Sequence, residues 1–157
     1  MIYVTLGTQK QSFKRLIEYL EKIDYKGKIY VQNGCVKYST RNLIFVGLIS
    51  DEEMNSYIKK SDIVISHGGG GSIFKALSFG KKVICVPRLK KYKEHINDHQ
   101  LEIIDYLSKN NYIIKCNTFE ELNNAIKNIK KINLKKYKDN YDKFISNIDG
   151  EIEDCLS

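Results

Sequence analysis

The chain has 157 residues, and its 26 lysines and arginines against 19 aspartates and glutamates give a formal charge of +7. This length fits one domain, because domains commonly contain about 100–200 residues. Hydrophobic residues make up 42% of the chain, enough for a buried core, which excludes disorder of the whole chain. No apolar run approaches the ~20 residues of a membrane-spanning helix, and the segment 1–7 lacks the basic leader of a signal peptide.

Short β-branched runs alternate with longer amphipathic segments along the chain. The runs predict strands at 2–6, 28–32, 43–46, 62–66, 83–86 and 112–115, and the apolar stripes between and after them predict helices across 13–23, 50–58, 73–79, 96–107 and 119–129. Ser50 before three consecutive acids is a helix start, and Gly80 ends the third helix. The alternation predicts a single α/β domain over residues 1–157, with a parallel sheet flanked by helices and a helical or loosely ordered basic tail at about 133–157.

The four cysteines are far apart in the sequence and form no C-x-x-C pair. They predict neither a zinc knuckle nor a redox pair, and reduced thiols in a cytoplasmic protein are the simplest interpretation. His95 and His99 have the spacing of a zinc site, but the glutamate of H-E-x-x-H is missing and no third ligand is evident. We therefore expect no metal.

In an open parallel sheet, ligands bind beyond the carboxyl ends of the strands. The first segment at this edge is Gly7-Thr8-Gln9. The glycine permits a tight turn close to a ligand, and the other two residues add donors near the next helix. An ordinary turn in which Thr8 or Ser12 caps that helix explains the same residues, so both interpretations stay open.

The second segment lies between a buried strand and a helix. It runs from Ser66 to Ser72 and contains His67 and four consecutive glycines, Gly68, Gly69, Gly70 and Gly71. A structural turn needs one or two glycines, so four favour a backbone that approaches a phosphate or nucleotide at a helix N-terminus. The pattern is neither a Walker loop nor G-x-G-x-x-G after the first strand. His67 either orients the loop or contacts the ligand.

The third segment follows the strand at 83–86. It holds Arg88 among six basic residues between positions 81 and 93 with no acid, and then Asp98, His99 and Gln100 at a helix start. Asp98 is a candidate cap of that helix, and His99 and Gln100 can donate to phosphate or sugar hydroxyls. The alternative is a solvated basic loop. No RNP-type aromatic motif or helix-turn-helix occurs, so we do not expect a nucleic acid partner.

These motifs carry a resemblance to a known family. V-T-L-G-T-Q, S-D-I-V-I-S-H-G-G-G-G-S and the segment from G-K-K-V-I-C-V-P-R to D-H-Q-L-E-I resemble PssE/EpsF-type subunits of capsule and exopolysaccharide glycosyltransferases over about residues 1–115. Those subunits belong with the eukaryotic catalytic subunit of the dolichol-linked GlcNAc transferase and with the carboxyl half of MurG-like transferases. The resemblance implies the Rossmann-like C-terminal half of a GT-B enzyme.

The resemblance also implies ligands and partners. It places a UDP-sugar at thirteen residues, with no metal ion: Gly7, Thr8, Gln9, His67, Gly68, Gly69, Gly70, Gly71, Ser72, Arg88, Asp98, His99 and Gln100. Lys75 stands where many relatives have a carboxylate for the ribose, so ribose recognition is unassigned.

One such domain is half of a GT-B enzyme, and no catalytic base stands out in the sequence. We therefore expect the donor-binding subunit of a two-component inverting transferase. The resemblance implies that it acts with a membrane-anchored PssD-like subunit at the inner face of the membrane and moves galactose or GlcNAc to a lipid-linked acceptor. A homodimer is possible in isolation. The alternative is a non-catalytic accessory protein that raises the activity of a partner transferase.

Overall fold

The computed structural model describes residues 1–95 and 97–138. Six strands form one parallel sheet: β1 (Ile2–Thr5), β2 (Ile29–Gln32), β3 (Ile44–Phe45), β4 (Ile63–Ser66), β5 (Lys82–Cys85) and β6 (Ile114–Lys115). Five α-helices connect or follow them: α1 (Lys14–Lys22), α2 (Asp51–Lys60), α3 (Gly70–Ser78), α4 (Gln100–Lys109) and α5 (Phe119–Asn128). The predicted α/β class is confirmed, and the elements follow the predicted order.

The strand order is β3-β2-β1-β4-β5-β6. The strands β2 and β3 therefore lie on one side of β1, and β4, β5 and β6 lie on its other side. Neighbouring β1 and β4 pair in register from Ile2↔Ile63 to Thr5↔Ser66. The loop after β1 and the loop after β4 run toward opposite halves of the sheet, so a crevice lies between them at the carboxyl ends of these strands.

Each face of the sheet is covered by helices, and two apolar clusters result. Because side chains alternate along a strand, β1 sends Ile2 and Val4 into the cluster under α1 and α5, and Tyr3 into the cluster under α2, α3 and α4. All four residues of β1 and of β4 are buried. This explains their nearly continuous apolar sequences, which are typical of central parallel strands.

Local signals set several element ends. Ser50 caps α2 in a capping box, since its Oγ accepts from the Glu53 N–H at 3.2 Å and the Glu53 carboxylate accepts from the Ser50 N–H at 2.8 Å. One expectation about α1 is wrong: neither Thr8 nor Ser12 caps it, because Phe13 is the N-cap residue and no side chain caps it. A 3-10 turn at Lys90–Tyr92 was not predicted.

The structure describes only the first six residues of the predicted tail. Residues 133–138 form no helix, but they are held in place: the Lys135 N–H donates to the Asn111 carbonyl at 2.8 Å, and the Tyr137 ring packs 5.7 Å from Phe74. The tail at 133–157 is also not basic as a whole, because its four lysines stand against six acids. Residues 139–157 lie outside the described residues. Among the described helices, none combines the length and apolarity needed to cross a bilayer.

Candidate functional site

The crevice at the carboxyl ends of β1 and β4 gathers the loops that the sequence singled out. Gly7 follows β1 with a φ of +75°, and the glycine loop follows β4. A Cβ atom on Gly68 would lie 2.7 Å from Cδ1 of Ile104 in α4 and 3.7 Å from Cα of Pro87. The glycine loop therefore packs against the first half of α4, the helix that begins at Gln100. The loops after β1 and β4 meet at this edge, while a common site with Asp98, His99 and Gln100 stays a prediction.

His67 fills the space beneath two of the glycines. Its side chain is buried, and a Cβ atom on either Gly7 or Gly69 would lie 2.6 Å from its Nε2 atom. Its Nδ1 atom lies 3.1 Å from the Thr5 carbonyl oxygen. Because a carbonyl can only accept, Nδ1 carries the proton and Nε2 is an acceptor in the neutral ring. The structure thus gives His67 the orienting role, and ligand contact by its Nε2 atom stays a prediction.

The protonation state of His67 follows from its surroundings. The pKa of the imidazole is lowered to about 4, chiefly by burial and also by the positive charge of Arg88, while the bond to the Thr5 carbonyl acts in the opposite direction. The ring is therefore neutral at pH 7. A neutral His67 supports the loop without adding positive charge to the crevice.

A chain of hydrogen bonds fixes the glycine loop from inside. The Gly68 N–H donates to Oγ of Ser66 at 3.2 Å, and the two hydroxyls of Ser66 and Ser72 lie 3.0 Å apart. The Ser72 hydroxyl donates to the Gly69 carbonyl at 2.9 Å. Since the Ser72 proton is directed at a carbonyl, Ser66 is the donor between the two hydroxyls. Ser72 therefore stabilises the loop in this structure, and its contact with a nucleotide stays a prediction.

The four glycines differ in what surrounds them. Gly68 has a φ of +107° and lies against Ile104, and Gly69 lies against His67, so internal packing requires glycine at both positions. A Cβ atom on Gly70 or Gly71 would meet no atom within 4 Å. Both lie in the first turn of α3, where glycine costs about 1 kcal/mol relative to alanine. Nothing in the packing explains these two glycines, whereas a ligand close to the backbone does.

The N-terminus of α3 is open to a ligand. Its N-cap residue is Gly69, no side chain caps it, and no acid lies in its first turn. The first N–H groups of a helix have no partners within the helix and carry partial positive charge. With no side chain at 70 or 71, these groups form a candidate anion-binding site of the kind that binds phosphate.

Arg88 holds the loops on either side of it together. Its guanidinium is buried and donates four hydrogen bonds to the carbonyls of Leu6, Gln11 and Glu94 at 2.8–3.2 Å. The expectation of a solvated basic loop is therefore wrong for Arg88. The structure assigns its donors to holding loops together, and a contact with a nucleotide stays a prediction.

Asp98, His99 and Gln100 lie at the start of α4. Asp98 does not cap this helix with its side chain: its carboxylate accepts from the Lys90 N–H at 3.0 Å, and His99 is the N-cap residue, with no side-chain bond. That expectation is wrong because the preceding turn uses the carboxylate. His99 is exposed and Gln100 is half-buried, and contact of either side chain with a ligand in the crevice stays a prediction.

The remaining predicted positions are near the surface. Thr8 is exposed and Gln9 is half-buried in the loop after β1. Lys75, in α3, forms an ion pair with Asp51 at 3.1 Å, which joins α3 to the first residue of α2.

Sequence reasoning missed Arg15 and Glu94. They form a buried ion pair with an N–O distance of 2.9 Å. The available signal was Glu94 itself, the first acid after a long basic run. Arg15 gave no signal, because one arginine among the lysines of a helix looks like a solvated residue.

A cavity of about 660 Å³ lies at the opposite edge, around the starts of β4 and β5. Four lysines line it, but the two at the strand are already bonded: Lys81 Nζ donates to the Lys59 and Ser61 carbonyls, and Lys82 Nζ to the Ile129 and Ile132 carbonyls. These lysines satisfy the C-terminal ends of α2 and α5. The cavity is therefore explained by helix capping, and the crevice remains the candidate site.

A parallel sheet with this strand order and a glycine-rich, uncapped helix N-terminus at its central crevice defines a nucleotide-binding type of α/β domain. Comparison with known families agrees. The profile of the glycosyltransferase family 28 C-terminal domain matches residues 1–152. The chain belongs to this family, and the match extends beyond the 1–115 on which the resemblance rests.

The chain is also similar to curated proteins over part of their length. The chain is 30% identical over 128 residues to the human UDP-N-acetylglucosamine transferase subunit ALG13, covering 73% of this chain and 11% of that protein. It is 39% identical over 61 residues to the Candida albicans protein of the same name, covering 39% of this chain and 20% of that one. The chain thus spans a small part of the length of these relatives.

Two solved glycosyltransferases share the fold. The spinosyn forosaminyltransferase SpnP superposes with a TM-score of 0.62 at 12% identity, covering 83% of this chain and 34% of that chain. The glycotransferase of kitacinnamycin gives a TM-score of 0.54 at 13% identity, with 82% and 34% covered. These structures establish the GT-B type of fold for this domain.

Proposed function

We propose that this chain binds the diphosphate of a UDP-sugar at the N-terminus of α3 and is the donor-binding subunit of a two-component inverting glycosyltransferase. The observation that carries the proposal is the pair of glycines at 70 and 71, which have open space around them and precede an uncapped helix. The family supports a sugar donor, and the human relative is named as a UDP-N-acetylglucosamine transferase subunit.

The proposal includes how charge is neutralised. Backbone N–H groups of α3, with His99 and Gln100 at the start of α4, would bind the diphosphate and donor sugar without a metal ion. Galactose and GlcNAc are the two donor sugars we consider. The acceptor would be a lipid-linked saccharide of capsule or exopolysaccharide synthesis, held by a membrane-anchored PssD-like subunit. The protein would then act at the cytoplasmic face of the membrane through that partner.

Substitution of the two open glycines tests the donor site directly. Gly70→Ala and Gly71→Ala each add a methyl group where no protein atom lies within 4 Å, and alanine favours a helix by about 1 kcal/mol. Both variants should therefore fold at least as stably as the parent. Because each methyl group lies where the diphosphate would approach, we expect the Kd for UDP to rise by at least about tenfold, measured by calorimetry in EDTA with UDP, UDP-galactose and UDP-GlcNAc.

A further variant removes a side-chain donor and leaves the backbone unchanged: His99→Ala should also weaken UDP binding, since the exposed His99 is a proposed ligand contact. The control is Lys127→Ala, at an exposed position on α5, which should leave UDP binding unchanged. Unchanged UDP binding in both alanine variants of the glycines would refute the site.

The second candidate is a non-catalytic accessory protein. Lys75, paired with Asp51 at 3.1 Å, is the observation that favours it, since the resemblance described above implies a carboxylate for the ribose at this position. The same calorimetry discriminates between the candidates: a parent chain that binds none of the three nucleotides favours the accessory role.

A further inference from the structure

Glu94 occupies an unusual environment for an acid. Its side chain is 3% exposed, and both carboxylate oxygens are bonded. Nε and Nη2 of Arg15 donate to Oε1 and Oε2, each at 2.9 Å, and the Leu89 N–H donates to Oε2 at 3.0 Å. Such bidentate, buried arginine–carboxylate pairs have a fixed geometry.

Arg15 is held from several sides. Its Nη2 atom also donates to the Pro87 carbonyl at 2.9 Å, and its guanidinium lies 5.0 Å from the ring centre of Tyr92 and 5.4 Å from that of Phe13. Burial alone lowers the pKa of this guanidinium, but the hydrogen bonds and charges of Glu94 and Tyr19 together raise it. The Arg15 guanidinium therefore carries its positive charge beside the Glu94 side chain.

Arg88 completes the group on the other side of Glu94. It donates to the Glu94 backbone carbonyl at 2.9 Å, to the Gln11 carbonyl at 2.8 Å and to the Leu6 carbonyl, and its guanidinium lies 4.8 Å from the centre of the Phe13 ring. The three residues join the loop after β1 to the loop after β5. We call them the Arg15–Glu94–Arg88 cluster.

The cluster has a consequence for the crevice. Backbone bonds from Val86 to Ser66 and from Arg88 to His67 hold the start of the loop after β5. The described residues that follow, 89–95 and 97–99, contain a 3-10 turn and no strand. Their position therefore depends largely on side-chain bonds, among them those of Glu94. The same segment leads directly to His99 and Gln100 at the start of α4.

We infer that Glu94 and Arg15 are positioning residues for ligand binding: they fix the loop after β5 against α1, so that His99 and Gln100 are in place before a nucleotide arrives. The binding part of this inference rests on the proposed function. The loss of the Glu94 charge leaves the Arg15 guanidinium without its carboxylate partner, while the bond from Arg88 to the Glu94 backbone carbonyl remains. The part of the segment that the Glu94 carboxylate holds then becomes free to shift.

The test compares three variants in the full chain. Glu94→Gln keeps the shape of the side chain and removes the charge, and Arg15→Lys keeps the charge and removes the bidentate geometry. Both should raise the Kd for UDP about tenfold, and the double variant should bind no more weakly than the weaker single variant, because the two residues act as one unit. Lys82→Met, which breaks side-chain bonds at the opposite edge, is the matched control and should leave this Kd unchanged.

Amide hydrogen exchange in the ligand-free protein gives an independent readout. In Glu94→Gln the amides of Leu89 and Lys90, which donate to Glu94 and Asp98, should exchange faster than in the parent, while β1 amides keep their protection. A Kd for UDP equal to that of the parent in both single variants would overturn the inference. If the parent itself binds no UDP, the proposed function fails, and unchanged exchange at residues 89–101 would then overturn the positioning role separately.

Discussion

At the scale of single residues, His67 shows how one side chain dictates its neighbours. Its ring lies between Gly7 and Gly69, and any side chain on either glycine would overlap Nε2. The two glycines come from loops about sixty positions apart in the sequence. The His67 imidazole therefore requires glycine at both positions.

The depressed pKa of His67 predicts a specific loss of stability in acid. The folded-state pKa of about 4 lies below the unfolded value of about 6.5. Between these values the unfolded chain binds a proton that the folded chain does not, so the free energy of unfolding falls as pH drops from about 6.5 to 4, by roughly 3 kcal/mol from this group. Denaturant unfolding of the parent and of His67→Asn at pH 7 and pH 4.5 measures it, since asparagine retains a donor for the Thr5 carbonyl.

The asparagine variant should be less stable than the parent at pH 7 and lose less stability on acidification. Carboxylates titrate in both proteins, so the difference between them isolates the imidazole. Equal losses in the two proteins would mean that His67 is protonated in the folded state.

At the scale of secondary-structure elements, the two ends of the sheet have opposite electrostatic roles. Helix α3 begins at the crevice with its N–H groups uncapped, which suits an anion. At the other edge, helices α2 and α5 end with carbonyls that accept from Lys81 and Lys82. Lys81 and Lys82 therefore stabilise the protein, and their presence is explained without an anionic binding partner.

Lys82→Met should therefore lower stability without affecting ligand binding. The Nζ atom of Lys82 donates to the Ile129 and Ile132 carbonyls at 2.7 and 2.8 Å. A buried hydrogen bond from a charged donor contributes about 1.5–3 kcal/mol to the free energy of unfolding. Since Lys82 is only half-buried, we expect a loss of about 1–2 kcal/mol, measured by urea denaturation. The exposed Lys131→Met is the comparison, and an equal effect of both would contradict helix capping by Lys82.

At the scale of the whole molecule, the described residues form one domain with the crevice at one edge of its sheet. The chain covers 34% of each of two solved glycosyltransferase chains of this fold. Under the proposed function, the donor would occupy this crevice, and a partner subunit would supply the acceptor site and the base that accepts its proton.

This division predicts separate binding and catalysis. The purified chain should bind UDP but transfer little or no sugar from UDP-GlcNAc or UDP-galactose, and activity should appear when membranes containing a partner subunit are added. Radiolabelled transfer to a lipid fraction measures it, with membranes alone as the blank. Robust transfer by the purified chain alone would contradict the two-component proposal.

The sequence by itself determined the class of fold and the edge that carries the site. Apolar runs alternating with amphipathic segments predict a parallel α/β sheet. Strands that are buried on both faces are apolar throughout, and helices that cover the sheet are apolar on one face only. The glycine run was found for a local reason, because four consecutive glycines lose much conformational entropy on folding and are not expected unless the backbone must approach a ligand. The Asp98–Gln100 segment was found from its polar side chains at a predicted helix start.

Only the tertiary structure decided what each residue does. It separated Gly68 and Gly69, which packing requires, from Gly70 and Gly71, which packing does not explain. It placed Arg88 in a buried cluster with Arg15 and Glu94, although the sequence suggests a solvated basic loop. The physical reason is that these roles depend on contacts between segments about eighty residues apart, and a linear pattern records which residues are present but not which ones they meet.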